Sequence, residues 1–193
     1  MISDEKILEN KNEIIALLQQ VERNGKDKLI DWLNSKECDF FIAPASSMHH
    51  LHVIGGLAQH SLNVYHTLQN LNELFNQNIS EETMIVSALL HDFCKINLYK
   101  NNILKSGSIS ASKPFVTEDL FPSGHGEKSV MIAMNLIDLT EQEILMIRWH
   151  MGLYDRAFIQ SANQVWKICP AAYLLFQADW MASLYVDDEE VTQ

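Results

Sequence analysis

Four helical stretches of this sequence carry a histidine or an aspartate on the same side as their leucines and isoleucines. At roughly 100° per residue, the longest stripe runs Leu57, His60, Val64, Leu68, Leu71 and Phe75, so His60 faces the core. His66 falls roughly 240° further round, on a polar face. Met84, Ala88 and His91 share a second stripe, and Asp92 lies on the adjoining one with Ile85 and Leu89. Met146 and Ile147 turn His150 inward, and Ala172, Leu175, Phe176, Ala182 and Ser183 place Asp179 on the buried side of the last helix. His125 sits between Gly124 and Gly126 at a helix start, where phase says nothing about it. Burying two carboxylates among several imidazoles is costly without compensation. A hydrogen-bonded His/Asp network would account for one or two such residues but poorly for all of them. A divalent transition metal accounts for the set, and imidazole with carboxylate suits Zn, Fe, Mn, Ni or Co.

The rest of the composition narrows the class. With 193 residues and 47% hydrophobic content, one globular domain with a real core is expected. Seven Gly and four Pro are few for a sandwich or barrel, and the Met, Leu and Ile runs point to helices. The opening Met1-Ile2-Ser3-Asp4-Glu5-Lys6 is polar and acidic, unlike a signal peptide, and no apolar run approaches the ~20 residues that span a bilayer. Cys38, Cys94 and Cys169 form no CxxC pair and no disulfide framework, which fits a cytoplasmic protein; Cys94 reads as a small buried hydrophobe. A net charge of −11 repels polyanions and argues against a broad nucleic-acid surface. A small phosphorylated ligand stays open, because bound metal and a few local cations reverse the potential inside a pocket. Between Lys36 and Lys95 there is no Lys or Arg, and Lys95 then follows His91-Asp92 closely.

Along the chain, residues 4–22 read as an amphipathic helix capped by Ser3, with a short second helix over 26–35. Residues 38–54 lack periodicity and hold three histidines, as expected of an ordered loop. Helices are predicted over 56–76, 81–93 and 126–138, over 140–150 behind the Thr140-Glu141-Gln142-Glu143 capping box, and from Pro170 to Val186. Residues 97–122 are polar and irregular, in the manner of a lid or binding loop or a partly disordered segment. Asp187-Asp188-Glu189-Glu190 reads as solvated charge within an acidic tail over 187–193. Trp149, Trp166 and Trp180 read as core.

The residues His60 in Gly55-Gly56-Leu57-Ala58-Gln59-His60-Ser61, then Leu90-His91-Asp92-Phe93-Cys94-Lys95, and Asp179 in Ala178-Asp179-Trp180 resemble the HD-domain superfamily of metal-dependent phosphohydrolases. His125 in Gly124-His125-Gly126-Glu127-Lys128-Ser129 and His150 in Arg148-Trp149-His150-Met151-Gly152 match the two added histidines of its binuclear members. The match covers roughly 44–186, with residues 1–43 as helices packed on that core. It implies an all-α, single-domain helical bundle with the metal site in its core. It further implies two ions per chain: His60, His91 and Asp179 on one, His125 and His150 on the other, Asp92 bridging. The reaction implied is hydrolysis of a phosphoester by a metal-activated hydroxide, on a nucleotide or similar metabolite, with Asp92 and Lys95 as catalytic residues. Lys95, Lys128, Arg148 and His50 are the candidates for binding substrate, Arg148 because guanidinium grips phosphate at two points. Pro44-Ala45-Ser46-Ser47-Met48-His49-His50 also resembles the HD domain of bacterial 3′-to-5′ exoribonucleases. No OB-type nucleic-acid domain precedes it in this chain, and its acidity leaves at most a short oligonucleotide as nucleic-acid partner. The same six-ligand pattern serves di-iron oxygenases of the superfamily, and a ligand-sensing module without catalysis is the third reading. Ligand order alone does not separate them.

Overall fold

The stripe that carries His60 folds as the longest helix, α3 (Gly56–Phe75), and the other helices pack round it. A computed structural model describes residues 2–155 and 161–187. Before α3 come α1 (Asp4–Gln19) and α2 (Lys26–Leu33); after it come α4 (Glu81–Leu90), α5 (His125–Met134), α6 (Glu141–Trp149), α7 (Ala162–Ile168) and α8 (Pro170–Met181). The fold is all-α and single-domain, and α3 packs against α4, α8 and α1, while α6 packs against α8, α5 and α4. No helix among the described residues is long and apolar enough to cross a membrane.

Local chemistry sets the helix starts. The Ser3, Ser80 and Thr140 side chains accept from Lys6 N, Thr83 N and Glu143 N, and the Glu143 carboxylate answers Thr140 N to complete the capping box. Glu143 is fully buried, and Arg23 compensates it: Nη1 lies 2.5 Å from Glu143 Oε2 and Nε 3.1 Å from Glu82 Oε1. One guanidinium thus ties the turn after α1 to the starts of α4 and α6. At the start of α3, Gly56 is required by packing, since a Cβ there would stand 2.1 Å from Leu51 O. The 38–54 segment therefore lies directly against α3, with Leu57 N donating to Ala43 O.

Several expectations need correction. Phe75 ends the α3 stripe but is 55% exposed, because the helix overruns the edge of the core. The 81–93 helix closes at Leu90, and a 3-10 turn over Phe93–Lys95 follows. The 97–122 stretch is not irregular throughout: β1 (Tyr99–Asn101) pairs antiparallel with β2 (Phe115–Thr117), Lys100 opposite Val116. Strands of three residues are too short for period-2 alternation to register. The last helix is α only to Met181 and widens into a π-turn over Ala182–Val186. Asp187, expected in solvent, is fully buried at the end of that turn. Residues 188–193, the remainder of the expected acidic tail, lie outside the described residues.

Candidate metal centre

His60 comes from the second turn of α3, His91 and Asp92 from the end of α4, His125 from the first position of α5, His150 from the end of α6 and Asp179 from α8. All six meet. His60 Nε2 lies 3.1 Å from Asp179 Oδ1 and 3.7 Å from Asp92 Oδ2, and His91 Nε2 lies 3.3 Å from Asp92 Oδ2 and 4.0 Å from Asp179 Oδ1. On the other side, His125 Nε2 is 2.9 Å and His150 Nε2 3.6 Å from Asp92 Oδ1. Asp92 therefore turns one oxygen to each group. Gly126 makes the second group possible: a Cβ there would stand 2.1 Å from Arg148 O, so α5 rests on the end of α6 and brings His125 beside His150, ring centroids 5.5 Å apart.

The donor atoms fit a metal. Nε2 of His60, His91 and His150 is buried with no hydrogen-bond partner, a costly state for three polar atoms converging on two carboxylates. Their other nitrogens are held, His91 Nδ1 donating to Ala88 O and His150 Nδ1 to Ile147 O, both at 2.7 Å. That fixes the tautomer with Nε2 free to coordinate. Ligand atoms of His60, His91 and Asp179 lie within 4.8 Å of one another, as do those of His91, Asp92 and His150, and of Asp92, Cys94 and His125. Cys94 is buried as expected, yet its sulfur reaches the edge of the site.

The electrostatics follow from burial against opposite charge. Burial resists charging of the His60 imidazole, but Asp187 and Asp179 outweigh it and hold the group up at about 10. His125 is raised to about 9 in the same way, burial opposed by Cys94 and Asp92. Burial would lift the Asp92 carboxyl; Lys95 and the histidines instead keep it well below the usual carboxylate range. Lys95 Nζ lies 2.5 Å from Asp92 Oδ2. His50 tilts over His60 at 4.8 Å, and burial pushes it down to about 4.

A cavity of about 860 Å³ opens above the centre, lined by Asp92, His125, His150 and Asp179 on its floor and by Lys95, His50 and Tyr99 beside them. Burial pushes the Tyr99 hydroxyl up to about 12. Met151, Phe176 and the stacked Tyr154–Trp180 pair, centroids 4.7 Å apart, make an apolar wall. Trp180 is thus at the cavity rather than in the core, 39% exposed on the outer flank of α8. Two expected substrate residues stand elsewhere. Lys128 is paired with Asp119 Oδ1 at 2.6 Å, and Arg148 is paired with Glu127 and with Asp155 Oδ2 at 2.7 Å while lying over the Trp149 ring; neither lines the cavity. Helical phase could not separate them from Lys95, because what holds each cation is a tertiary partner. His66 is on the surface as expected, paired with Glu13 at 2.9 Å. Asp187 was missed: its Oδ2 accepts from His60 Nδ1 at 2.9 Å.

The family model of the HD domain matches residues 57–184, two thirds of the chain and the whole run from His60 to Asp179. The chain belongs to the HD domain family. This superfamily comprises metal-dependent hydrolases, and HD membership implies that a divalent metal is bound. No curated protein and no solved structure matches this HD domain chain.

Proposed function

We propose that this chain is a phosphohydrolase cleaving a phosphoester of a nucleotide or a related phosphorylated metabolite. Two divalent ions would be held by His60, His91 and Asp179 and by His125 and His150, with Asp92 shared. The supporting observation is the division of Asp92, Oδ2 toward His60 and His91, Oδ1 toward His125 and His150. Such ions, when bound, supply a nucleophile from water near neutral pH and polarise a phosphoryl oxygen.

The chain's own residues supply the rest. Lys95 presents a buried ammonium at the cavity floor, where it offsets negative charge gathering on the phosphoryl group. His50 faces the same space and can bind a phosphate or sugar oxygen. Met151, Phe176 and the Tyr154–Trp180 pair offer apolar and aromatic surface on which a nucleobase stacks and sheds water. Among the described residues the cavity wall carries one lysine with His49 and His50, few cations for three phosphates, so the site suits a single phosphoester better than a triphosphate.

The test is phosphate release from a panel of nucleotide and sugar phosphoesters with Mn²⁺, Co²⁺, Ni²⁺ or Fe²⁺, expecting turnover with at least one metal. Iron-loaded protein that cleaves no phosphoester and shows a half-integer-spin di-iron signal would overturn the phosphohydrolase in favour of an oxygenase.

A further inference from the structure

His91 and His150 solve one problem that His60 cannot solve the same way. Both follow the last residue of a helix, where the final carbonyls lack intrahelical partners, so each Nδ1 donates to the carbonyl three residues back. His60 lies inside α3, where the carbonyls are committed to the helix's own ladder. Its Nδ1 needs an acceptor from elsewhere in the fold. Asp187 supplies it, from the far end of the described chain.

We propose that Asp187 is a positioning residue of the metal centre, held in turn by a buried hydrogen-bond chain that reaches the N-terminal helix. Asp187 Oδ2 accepts from His60 Nδ1 at 2.9 Å and Oδ1 from Asn63 Nδ2 at 2.8 Å. Asn63 Oδ1 accepts from Gln59 Nε2 at 3.0 Å, and Gln59 Oε1 from Asn10 Nδ2 at 2.7 Å. Asn10, Gln59, Asn63, His60 and Asp187 are all at most 5% exposed. The carboxylate sets the sense of the whole chain. A carboxylate only accepts, so Asn63 must turn its NH₂ to Asp187 and its oxygen to Gln59, which fixes Gln59 and then Asn10. At the other end the carboxylate keeps the proton on His60 Nδ1, leaves Nε2 free to coordinate and makes the imidazole more basic. Asp187 and Asn10 both lie outside the stretch matched by the HD domain.

This role rests on the metal-centre reading but not on phosphoester cleavage, so the readouts are Co²⁺ affinity by calorimetry and the His60 Nδ1–H resonance of the Zn²⁺-loaded chain, which a carboxylate acceptor moves downfield. D187A removes both acceptors, leaving His60 Nδ1 and Asn63 Nδ2 without them. It is expected to weaken Co²⁺ binding by about 10–100-fold and to move the Nδ1–H resonance upfield. D187N keeps an amide oxygen for His60 Nδ1 while the Asn63, Gln59 and Asn10 amides turn over together, and is expected to recover part of both readouts. Wild-type affinity and resonance in D187A, or no recovery in D187N, overturns the role. Should D187A fail to fold, N10A severs the far end of the chain, and an unchanged Co²⁺ affinity there overturns the relay. A wild-type chain that takes up no Co²⁺ overturns the metal centre as well. Weakened D187A binding in a protein with no phosphatase activity keeps this role and sinks only the phosphohydrolase.

Discussion

His125 Nε2 lies 2.9 Å from Asp92 Oδ1, although the two residues come from different helices and a β-hairpin intervenes between them. Their approach depends on the glycine after His125. G126A would drive a methyl into Arg148 O, which an ideal Cβ meets at 2.1 Å. The expected cost is about 1–3 kcal/mol for the overpacked helix contact. On the two-ion reading proposed above, metal content should drop from two ions per chain toward one, since the His60, His91 and Asp179 group does not involve α5. Equal metal content and melting temperature in G126A and wild type would contradict this.

Asp92 serves both groups, so D92A should empty both. Metal per chain, measured by elemental analysis, is expected at background, with activity abolished. The substitution also strips the buried Lys95 ammonium of its partner, and breaking such a pair costs about 3–5 kcal/mol in the fold. Full activity in D92A refutes the site.

Arg23 predicts how stability varies with acid. Its hydrogen bond holds the Glu82 carboxyl below the ordinary glutamate value, against a smaller opposing push from burial. A carboxylate depressed in the folded state stabilises fully above its unfolded pKa, and the stabilisation is lost as pH falls through the folded pKa. Urea denaturation from pH 7 to pH 3 should therefore show a wild-type loss in the acid range that R23M flattens. R23M should also be less stable at pH 7, by about 3–5 kcal/mol, because Glu143 is left buried and unpaired. An acid limb of the same depth in R23M would argue against the pairing.

H66A is the control. Its ring is exposed, hydrogen-bonded to Gln69 and Glu13 on the helix surfaces, and outside the cavity lining. Stability within about 0.5 kcal/mol of wild type and unchanged metal content are expected; a large loss of either would undo the helical-phase reading of α3.

The inward residues on helices were legible because phase on an α-helix is arithmetic. His60, His91, Asp92 and His150 sit on apolar stripes and are at most 2% exposed. His125 came from resemblance, and its position is owed to a contact between α5 and α6 that no local pattern encodes. The cations divide in the same way. Lys95, Lys128 and Arg148 look alike in sequence, and only their partners Asp92, Asp119, Glu127 and Asp155 separate the one in the cavity from the two outside it.

By itself the sequence determined an all-α chain with histidines and aspartates turned inward, because side-chain periodicity and the cost of burying charge both act locally. Tertiary structure alone decided Asp187. Eight residues past Asp179, an unbroken α-helix would turn it roughly 80° away from that face. The wider π-turn over Ala182–Val186 rotates the chain less per residue, so both carboxylates reach the same imidazole, Asp179 at Nε2 and Asp187 at Nδ1. A run of Asp-Asp-Glu-Glu carries no trace of that, since whether its first carboxylate is solvated or buried depends on a donor 127 positions earlier.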